Sequence, residues 1–345
     1  MKALVFHEPR RIAVEDVADP SPGPGEALVR VGAAAICHSD IRVYLGQKHA
    51  RPGVIPGHEI AGVIEALGEG TPSGLRAGDR VVVCPIVACG SCPFCLSGRR
   101  HRCPQRRTLG YDANGGLAER VLVPAAIVSL GHLIPIPDGL PIERAAVTEP
   151  LACVLNSLET CELSLGRSMA VIGAGPMGLC HIVLARRMGV GPIIVSEPDE
   201  ERAQTARRLG ATEVVDPRTG DFAATVLEHT DGMGADAVIV SAGLPEVVGV
   251  AIAATRKQGF VNLFAGFPPD TRVPFDPNAV HYSEVRLTGT QNAAPEQYRR
   301  VLQLLRDLPE ADAITTHRFS IDDAASAYDV RLRNEGLKSM VVMAQ

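Results

Sequence analysis

Several features are scarce in this chain of 345 residues. It has no tryptophan, and aromatic residues make up only 4% of it, which argues against a pocket for a bulky apolar ligand. No apolar run reaches the roughly 18 residues that indicate a membrane-spanning helix. The opening stretch, MKALVFHEPRRIAVEDV, reads as a strand and not as a signal peptide. A net charge of −5 gives no reason to expect nucleic acid or an anionic membrane as partner. We therefore expect a cytoplasmic protein with neither kind of partner.

Nine cysteines are present, and a reducing compartment disfavours disulfides between them. Four of them, Cys89, Cys92, Cys95 and Cys103, share the short stretch CGSCPFCLSGRRHRC. Their C-x2-C-x2-C-x7-C spacing allows four thiolates to close a tetrahedron around zinc. Redox C-x-x-C chemistry is disfavoured, because this series does not follow a strand and open a helix. A closed site leaves no position for substrate, so the loop 89–103 is predicted to hold a structural zinc.

A glycine-rich turn follows the apolar run MAVI. Gly173, Gly175 and Gly178 form G-x-G-x-x-G, with Pro176 and Met177 between the last two glycines. The pattern has the required context of a preceding strand and a following helix. The first glycine allows the tight turn, the second lets the backbone approach a diphosphate, and the third lets the helix pack on the strand. The sequence therefore predicts a dinucleotide site at this turn.

An acidic residue at the end of the next predicted strand indicates which dinucleotide binds. Glu197 lies in IIVSEPDEER, and a carboxylate there can hold both ribose hydroxyls and would repel a 2′-phosphate. NAD is thus favoured over NADP. Arg202 lies nearby in the sequence and could cover the adenosine end, which keeps some use of NADP conceivable.

The pattern of predicted secondary structure changes near residue 150. Short strands between Pro/Gly turns come before it, and strands alternating with helices come after it. We predict an α/β protein with a β-rich domain over residues 1–150, a doubly wound parallel-sheet domain over residues 151–288, and a C-terminal part, 289–345, that rejoins the first domain.

Three further segments contain metal-type ligands, namely ICHSD, IPGHEIAGVIEALGEG and TEPLACVLN. Together with the zinc loop and the glycine turn, the chain resembles the zinc-dependent medium-chain dehydrogenase/reductase family over nearly its whole length. The family signature G-H-E-x2-G-x5-G-x-G is present as Gly57, His58, Glu59, Gly62, Gly68 and Gly70. The turn GGLAE, from Gly115 to Glu119, also matches. The resemblance implies a GroES-like β-barrel followed by a Rossmann domain.

The resemblance further implies a catalytic zinc held by Cys37 and His58. This chain has TEP where liver-type alcohol dehydrogenases have a cysteine, and in this it is similar to the polyol (sorbitol) and threonine dehydrogenase branches. Glu59 is then expected as the third ligand, with a buried carboxylate outside the coordination sphere as the alternative. Glu149 is expected as a fourth ligand or as the holder of a zinc-bound water. Each chain is thus expected to carry two zinc ions, one catalytic and one structural.

The expected reaction is oxidation of an alcohol by hydride transfer to NAD, together with its reverse. The resemblance implies that Ser39, two residues after the zinc cysteine, takes the hydroxyl proton. The family often passes it to a histidine five residues after the cysteine, where this chain has Arg42. A guanidinium does not release a proton near neutral pH. Water is then expected to carry the proton out, or Arg42 holds an anionic or polyhydroxylated group, or it pairs with a surface carboxylate.

The substrate is expected to be a small polar alcohol or ketone: a polyol, cyclitol, aminocyclitol or sugar-like compound. An L-threonine 3-dehydrogenase is the alternative within the same fold, and a nucleotide-sensing zinc protein without turnover is a remote one. Tyr44, Gln291 and Asn292 are candidates for substrate contact by position. The resemblance also implies a homodimer or homotetramer.

Overall fold

The computed structural model describes residues 1–72 and 74–344. The chain divides into two compact units. The first contains Met1–Ala152 together with Ala293–Gln345, and the second contains Cys153–Asn292. Among the described residues, no helix is both long enough and apolar enough to cross a membrane.

The first part of the chain is rich in short strands. In chain order its elements are β1 Lys2–Glu8, β2 Arg11–Asp16, β3 Ala27–Ala35, α1 His38–Tyr44, β4 Glu59–Leu67, β5 Arg80–Val83, β6 Ile86–Val87, α2 Pro93–Leu96, β7 Arg107–Thr108, β8 Arg120–Val123, α3 Ala125–Ser129, β9 Leu133–Pro135, α4 Ile142–Ala146 and α5 Thr148–Thr160.

Strands and helices then alternate, and the chain ends with two helices and two strands. The alternating elements are β10 Met169–Ile172, α6 Pro176–Arg187, β11 Ile193–Ser196, α7 Glu200–Leu209, β12 Glu213–Val215, α8 Phe222–Glu228, β13 Ala235–Val240, α9 Val247–Ala253, β14 Thr255–Leu263, α10 Pro277–His281 and β15 Arg286–Gly289. The last elements are α11 Pro295–Leu305, β16 Thr315–Phe319, α12 Ala324–Leu332 and β17 Lys338–Val342.

A seven-stranded sheet organises the first unit. Its strand order is β16-β17-β3-β4-β5-β9, and β8 pairs with β3 outside this path. The central strand β3 pairs antiparallel with β4, β8 and β17. Because β17 comes from the end of the chain, the C-terminal part completes the sheet of the first unit. The alternating apolar residues of β3 and β4 contribute to one buried core.

The second unit is a six-stranded, wholly parallel sheet. Its order, β12-β11-β10-β13-β14-β15, corresponds to the 3-2-1-4-5-6 order of a dinucleotide-binding sheet. All four residues of β10 and all four of β11 are buried, as expected for strands covered by helices on both faces. The expected doubly wound domain is confirmed.

The segment PIERAAVTEPLACVLNSLETCEL forms two helices, α4 and α5. Pro150 explains the break, because a proline has no N–H and its ring clashes with the carbonyl four residues earlier. It is tolerated in the first turn of α5, where no intrahelical donor is needed. The new helix start places Glu149 in the first turn of α5.

Candidate metal centres and cofactor site

The four cysteines of the zinc loop lie in one cluster. The Sγ atoms of Cys89, Cys92, Cys95 and Cys103 all lie within 4.8 Å of one another, and the four cysteines are not in disulfides. The Sγ atoms of Cys89 and Cys95 are 3.9 Å apart. Four sulfurs bound tetrahedrally at a Zn–S distance of about 2.3 Å lie about 3.8 Å apart. The cluster therefore fits a four-thiolate zinc ion.

Backbone N–H groups donate hydrogen bonds to the sulfurs of this cluster, which favours thiolates that can bind a cation. The N–H of Cys92 donates to the sulfur of Cys89 over 3.4 Å, and the N–H of Cys89 donates to the sulfur of Cys103 over 3.5 Å. Amide donation from Ser91 and Cys92 lowers the pKa of the Cys89 thiol to about 6. Burial raises the pKa of the Cys95 thiol to about 12, so metal binding must displace a proton there.

A second group of ligand atoms lies at the ends of β3 and β4. The ligand atoms of Cys37, His58 and Glu59 all lie within 4.8 Å of one another. Cys37 is the N-cap of α1, just after β3, and Glu59 is the first residue of β4, paired with Ala35 of β3. One thiolate, one imidazole and one carboxylate are ligand types that zinc accepts in a catalytic site.

Asp40 supports this group, and the sequence interpretation did not include it. Its side chain is 1% exposed. Its Oδ2 accepts the N–H of Cys37 over 2.9 Å, and its Oδ1 lies 3.3 Å from Nδ1 of His58. This Oδ1 is buried with Nδ1 of His58 beside it, so it can accept a hydrogen bond from the Nδ1–H of His58 once Nε2 serves as a metal ligand. The acid three residues after Cys37 was the available signal.

The charges of Asp40 and His58 stabilise each other. Burial alone would raise the pKa of the Asp40 carboxyl, but the charge and hydrogen bond of His58 keep that pKa below its usual value. Burial alone would lower the pKa of the His58 imidazole, but Asp40 and then Cys37 raise that pKa well above its usual value. A carboxylate behind a ligand histidine both orients the ring and increases its basicity.

Tyr111 is another residue that the sequence interpretation missed. It is 6% exposed, and its hydroxyl lies 2.6 Å from Oγ of Ser39 and 3.0 Å from Nδ1 of His58. Burial, followed by the charges of Asp40 and Cys37, raises the pKa of the Tyr111 phenol well above its usual value. The phenol therefore stays protonated and orients the Ser39 hydroxyl. No short sequence motif marks Tyr111, which is 72 residues from Ser39.

Glu59 has a partner from the far end of the chain. Nζ of Lys338 lies 2.7 Å from each carboxylate oxygen of Glu59. The Glu59 side chain is 0% exposed and that of Lys338 is 3% exposed. Glu59 thus belongs to the ligand group while Lys338 balances its charge. Its role as the third metal ligand, or as a buried carboxylate outside the coordination sphere, is a prediction.

The remaining candidates of the first unit lie close to this centre or near its edge. Glu149 is 7% exposed and lies outside the three-residue ligand group, but its charge acts on the pKa of Tyr111. Arg42, in α1, has no side-chain hydrogen bond or ion pair within the described part of the chain. Its charge helps to lower the pKa of His38, after burial and Arg331. Tyr44 packs edge-on against Tyr328, with ring centroids 5.9 Å apart.

The predicted glycine turn connects β10 to α6. Gly173 has φ +96°, in the left-handed region that favours glycine. A Cβ on Gly178 would lie 2.0 Å from the carbonyl oxygen of Gly173, so no other residue fits there. A Cβ on Gly175, the N-cap of α6, would have no atom within 4 Å, which leaves the backbone open to a ligand. Pro176 and Met177 form the first turn of α6. This turn fits a diphosphate at a helix N-terminus.

Glu197 follows β11 and is held against the glycine turn. Its Oε2 accepts the N–H of Ala174 over 2.7 Å and its Oε1 accepts the N–H of Asp199 over 2.9 Å. The residue is 6% exposed. Arg202 lies in the first turn of α7, where its N–H donates to the capping carboxylate of Asp199.

Two other candidates follow β15. Gln291 is exposed, and Asn292 has φ +59° with its carbonyl held by the side chain of Asn156 at 2.9 Å.

Comparison with known proteins is consistent with both halves of this description. Residues 23–138 match the family model of the alcohol dehydrogenase GroES-like domain, which confirms the expected fold of the first domain. Residues 176–307 match the model of the zinc-binding dehydrogenases.

Whole-length relatives extend the match. The chain is 33% identical over 310 residues to an L-threonine 3-dehydrogenase of Pyrococcus furiosus, covering 88% of this chain and 87% of that one. It is 30% identical over 348 residues to a sorbitol dehydrogenase of Bacillus subtilis, covering 99% and 97%. A zinc-binding dehydrogenase of Sinorhizobium meliloti, solved bound to NADP, superposes with a TM-score of 0.89 at 30% identity, covering 99% and 98%. The chain is therefore a member of the zinc-dependent medium-chain alcohol dehydrogenase family, an oxidoreductase that acts on alcohols.

Proposed function

We propose that this enzyme oxidises a secondary alcohol of a polyol, cyclitol, aminocyclitol or sugar-like substrate to the ketone, using zinc and NAD. The observation that carries the proposal is the convergence of Cys37, His58 and Glu59 beside the hydroxyl of Ser39. A polar site made of carboxylates, hydroxyls and cations suits a hydrophilic alcohol better than an apolar one.

Each residue near the metal group has a role in this proposal. Cys37 and His58 hold the metal, and Asp40 orients His58 through Nδ1. When bound, zinc supplies a Lewis acid that makes the substrate hydroxyl more acidic, and NAD supplies the hydride acceptor. Oγ of Ser39 accepts the hydroxyl proton while the Ser39 hydroxyl releases its own proton to water, and the Tyr111 hydroxyl at 2.6 Å holds that Oγ in position.

The role of Glu149 follows from its place near, but outside, the ligand group. We assign it to the fourth ligand position or to holding a water there. Arg42 lacks a carboxylate partner within the described residues, which supports contact with a polar or anionic part of the substrate over a purely structural ion pair.

NAD is the preferred dinucleotide in this proposal. Support comes from the Glu197 carboxylate, which is fixed against the glycine turn at the end of β11. A buried carboxylate there accepts ribose hydroxyls and repels a 2′-phosphate. Arg202, in the first turn of α7, remains a candidate for covering the adenosine end. The NADP bound to the Sinorhizobium meliloti structure shows that the related fold can hold the other dinucleotide.

An L-threonine 3-dehydrogenase activity is the second candidate. It is favoured by the Pyrococcus furiosus relative, which has higher identity than the sorbitol dehydrogenase but covers less of this chain. The two activities differ in the charge of the substrate, because threonine carries a carboxylate and sorbitol does not.

The test is NADH formation against sugar alcohols, inositols and L-threonine, measured on protein loaded with zinc. Cys37→Ser should abolish turnover, and removal of the metal by a chelator should do the same. Cys153→Ser, a cysteine outside both ligand groups, is the matched control and should keep activity. Full turnover of a sample shown to be metal-free by elemental analysis would refute the proposal.

We also propose that the working form is a homodimer or homotetramer. Within the described residues, β15 pairs only with β14 and so forms an edge of the parallel sheet. Leu287 of this strand is 38% exposed and the nearby Tyr282 is 76% exposed. An edge strand with apolar side chains is a surface that a second chain can cover. Light scattering during gel filtration will measure the mass, and a monomer at micromolar concentration would contradict this proposal.

A further inference from the structure

Lys48 occupies a position that the backbone holds firmly. The chain reverses after α1 at Gly46, which has φ +74°. The N–H groups of Gln47 and Lys48 both donate to the carbonyl of Arg42, over 2.8 and 3.2 Å. A Cβ on Gly46 would also approach the ring of Pro9 to 3.2 Å. The turn is therefore tied to α1, the helix that starts directly after the metal ligand Cys37.

The side chain of Lys48 reaches toward the reacting end of the site. Its Nζ lies 3.5 Å from the centroid of the Tyr111 ring, and the Tyr111 hydroxyl lies 2.6 Å from Oγ of Ser39. A cation over an aromatic face is held there by the ring quadrupole. The Lys48 ammonium and the Ser39 hydroxyl are thus within about 7 Å of each other, so a hydroxyl and an anionic group a few carbons apart can reach both by hydrogen bonds.

Within residues 1–72 and 74–344, the Lys48 ammonium has no counter-ion in contact. It makes no ion pair with a carboxylate in the part of the chain that the structure describes. Lys48 as a whole is exposed, but desolvation of its head group lowers the pKa of Lys48. The negative charges of Asp40, Cys37 and Glu149 oppose this effect and raise that pKa. Arg106 adds a like charge that also lowers the Lys48 pKa. An anion beside the ammonium would offset both the desolvation and the repulsion.

We propose that Lys48 is a specificity-determining residue that pairs with a carboxylate of the substrate. Among the substrates proposed above, this pairing favours a hydroxy acid or aldonic acid over a neutral polyol of the same skeleton. This inference rests on the proposed function, because Ser39 marks the position of the reacting hydroxyl.

A different role for Lys48 would give a different result. The ammonium could balance the negative charge of Asp40 and Glu149 in every step, whatever the substrate. Loss of the cation would then affect neutral and anionic substrates alike. A role in substrate recognition predicts an effect that depends on substrate charge and is concentrated in KM.

The experiment compares two matched substrate pairs, L-threonine with L-threoninol and D-gluconate with sorbitol. Each pair differs in whether a terminal carbon is a carboxylate or a hydroxymethyl group. The zinc-loaded wild type, Lys48→Met, Lys48→Arg and the neighbouring neutral control Gln47→Met are assayed with NAD. For the preferred acid, kcat/KM should fall ~10–100-fold in Lys48→Met, mainly through KM, because a charge-assisted hydrogen bond is lost. Lys48→Arg should restore most of it, and the Gln47 variant should match the wild type.

A binding measurement without turnover accompanies the kinetics. Saturation-transfer NMR in the absence of dinucleotide should show gluconate contact with the wild type that is lost in Lys48→Met. Rising salt should raise KM for the acid and leave KM for its neutral partner nearly unchanged. Equal losses for the acid and its neutral partner in Lys48→Met would overturn the inference. So would a wild type that oxidises only neutral alcohols, which leaves the proposed function intact. Absence of any alcohol oxidation by zinc-loaded protein would refute the proposed function itself.

Discussion

The buried pair of Glu59 and Lys338 allows a quantitative prediction. Glu59 starts β4 and Lys338 starts β17, and both strands flank β3. Each carboxylate oxygen lies 2.7 Å from the ammonium, and neither side chain is more than 3% exposed. Lys338→Met keeps most of the apolar stem and removes the charge, which leaves the Glu59 carboxylate buried without its counter-ion.

The expected loss of stability is large. Removing one partner of a buried ion pair costs about 3–5 kcal/mol. For a unit of about 200 residues, each kcal/mol corresponds to a shift of roughly 2–4 °C in melting temperature. The metal-free Lys338→Met protein should therefore melt ~6–20 °C lower than the metal-free wild type. Urea unfolding followed by circular dichroism measures the free-energy change.

Two comparisons separate the ion pair from other effects. The double variant Glu59→Met/Lys338→Met has no unpaired charge and should regain at least half of the lost stability. The exposed Lys257 provides a control, and Lys257→Met should change stability by less than about 0.5 kcal/mol. If Glu59 ligates zinc directly, zinc should shrink the loss in Lys338→Met. A loss below about 1 kcal/mol in metal-free Lys338→Met would refute the reasoning.

Three further predictions concern the other sites. Cys95→Ser should lower the zinc content from two ions per chain to one and destabilise the first unit. Cys37→Ser should also lose one zinc ion, but its main effect should be loss of turnover. Elemental analysis measures the zinc content of both variants, and thermal melting separates their effects on stability. Glu197→Ala should lower the preference for NAD over NADP by at least ~10-fold, measured as the ratio of kcat/KM values, because the carboxylate that repels a 2′-phosphate is gone. Burial lowers the pKa of His181 to about 4 from an ordinary value of 6.5. Between these two pH values the unfolded chain binds a proton at His181 that the folded chain does not. The part of the stability linked to His181 is therefore complete above pH 6.5 and falls by about 3 kcal/mol toward pH 4. His181→Asn should flatten this part of the stability–pH curve, and an unchanged slope would show that another group titrates.

Local patterns made much of the fold predictable. The alternation of strands and helices after residue 150 follows from periodicity within single elements, and the glycine turn follows from the three glycines between β10 and α6. The zinc loop is also local, because all four cysteines lie within residues 89–103 and the tight turns bring their sulfurs together. Asp40 is local too, because it follows Cys37 by three residues in the first turn of α1.

Tyr111 and Lys338, which support the metal centre, could not be predicted from local patterns. Tyr111 reaches Ser39 from 72 residues away, and Lys338 reaches Glu59 from 279 residues away. Neither Tyr111 nor Lys338 lies in a recognisable motif. The sequence therefore does not indicate which hydroxyl contacts Ser39 or which cation contacts Glu59.

The sequence by itself determined the two domain types, the four-cysteine loop and the glycine turn, since each depends on residues that are close in the chain. Only the tertiary structure decided what surrounds Cys37 and His58. The physical reason lies in strand pairing: Glu59 of β4 lies opposite Ala35 of β3, and Met340 of β17 pairs with the same Ala35. Strands from distant parts of the chain therefore meet at the end of β3 that precedes Cys37, which brings Lys338 to Glu59 and so to the ligand group.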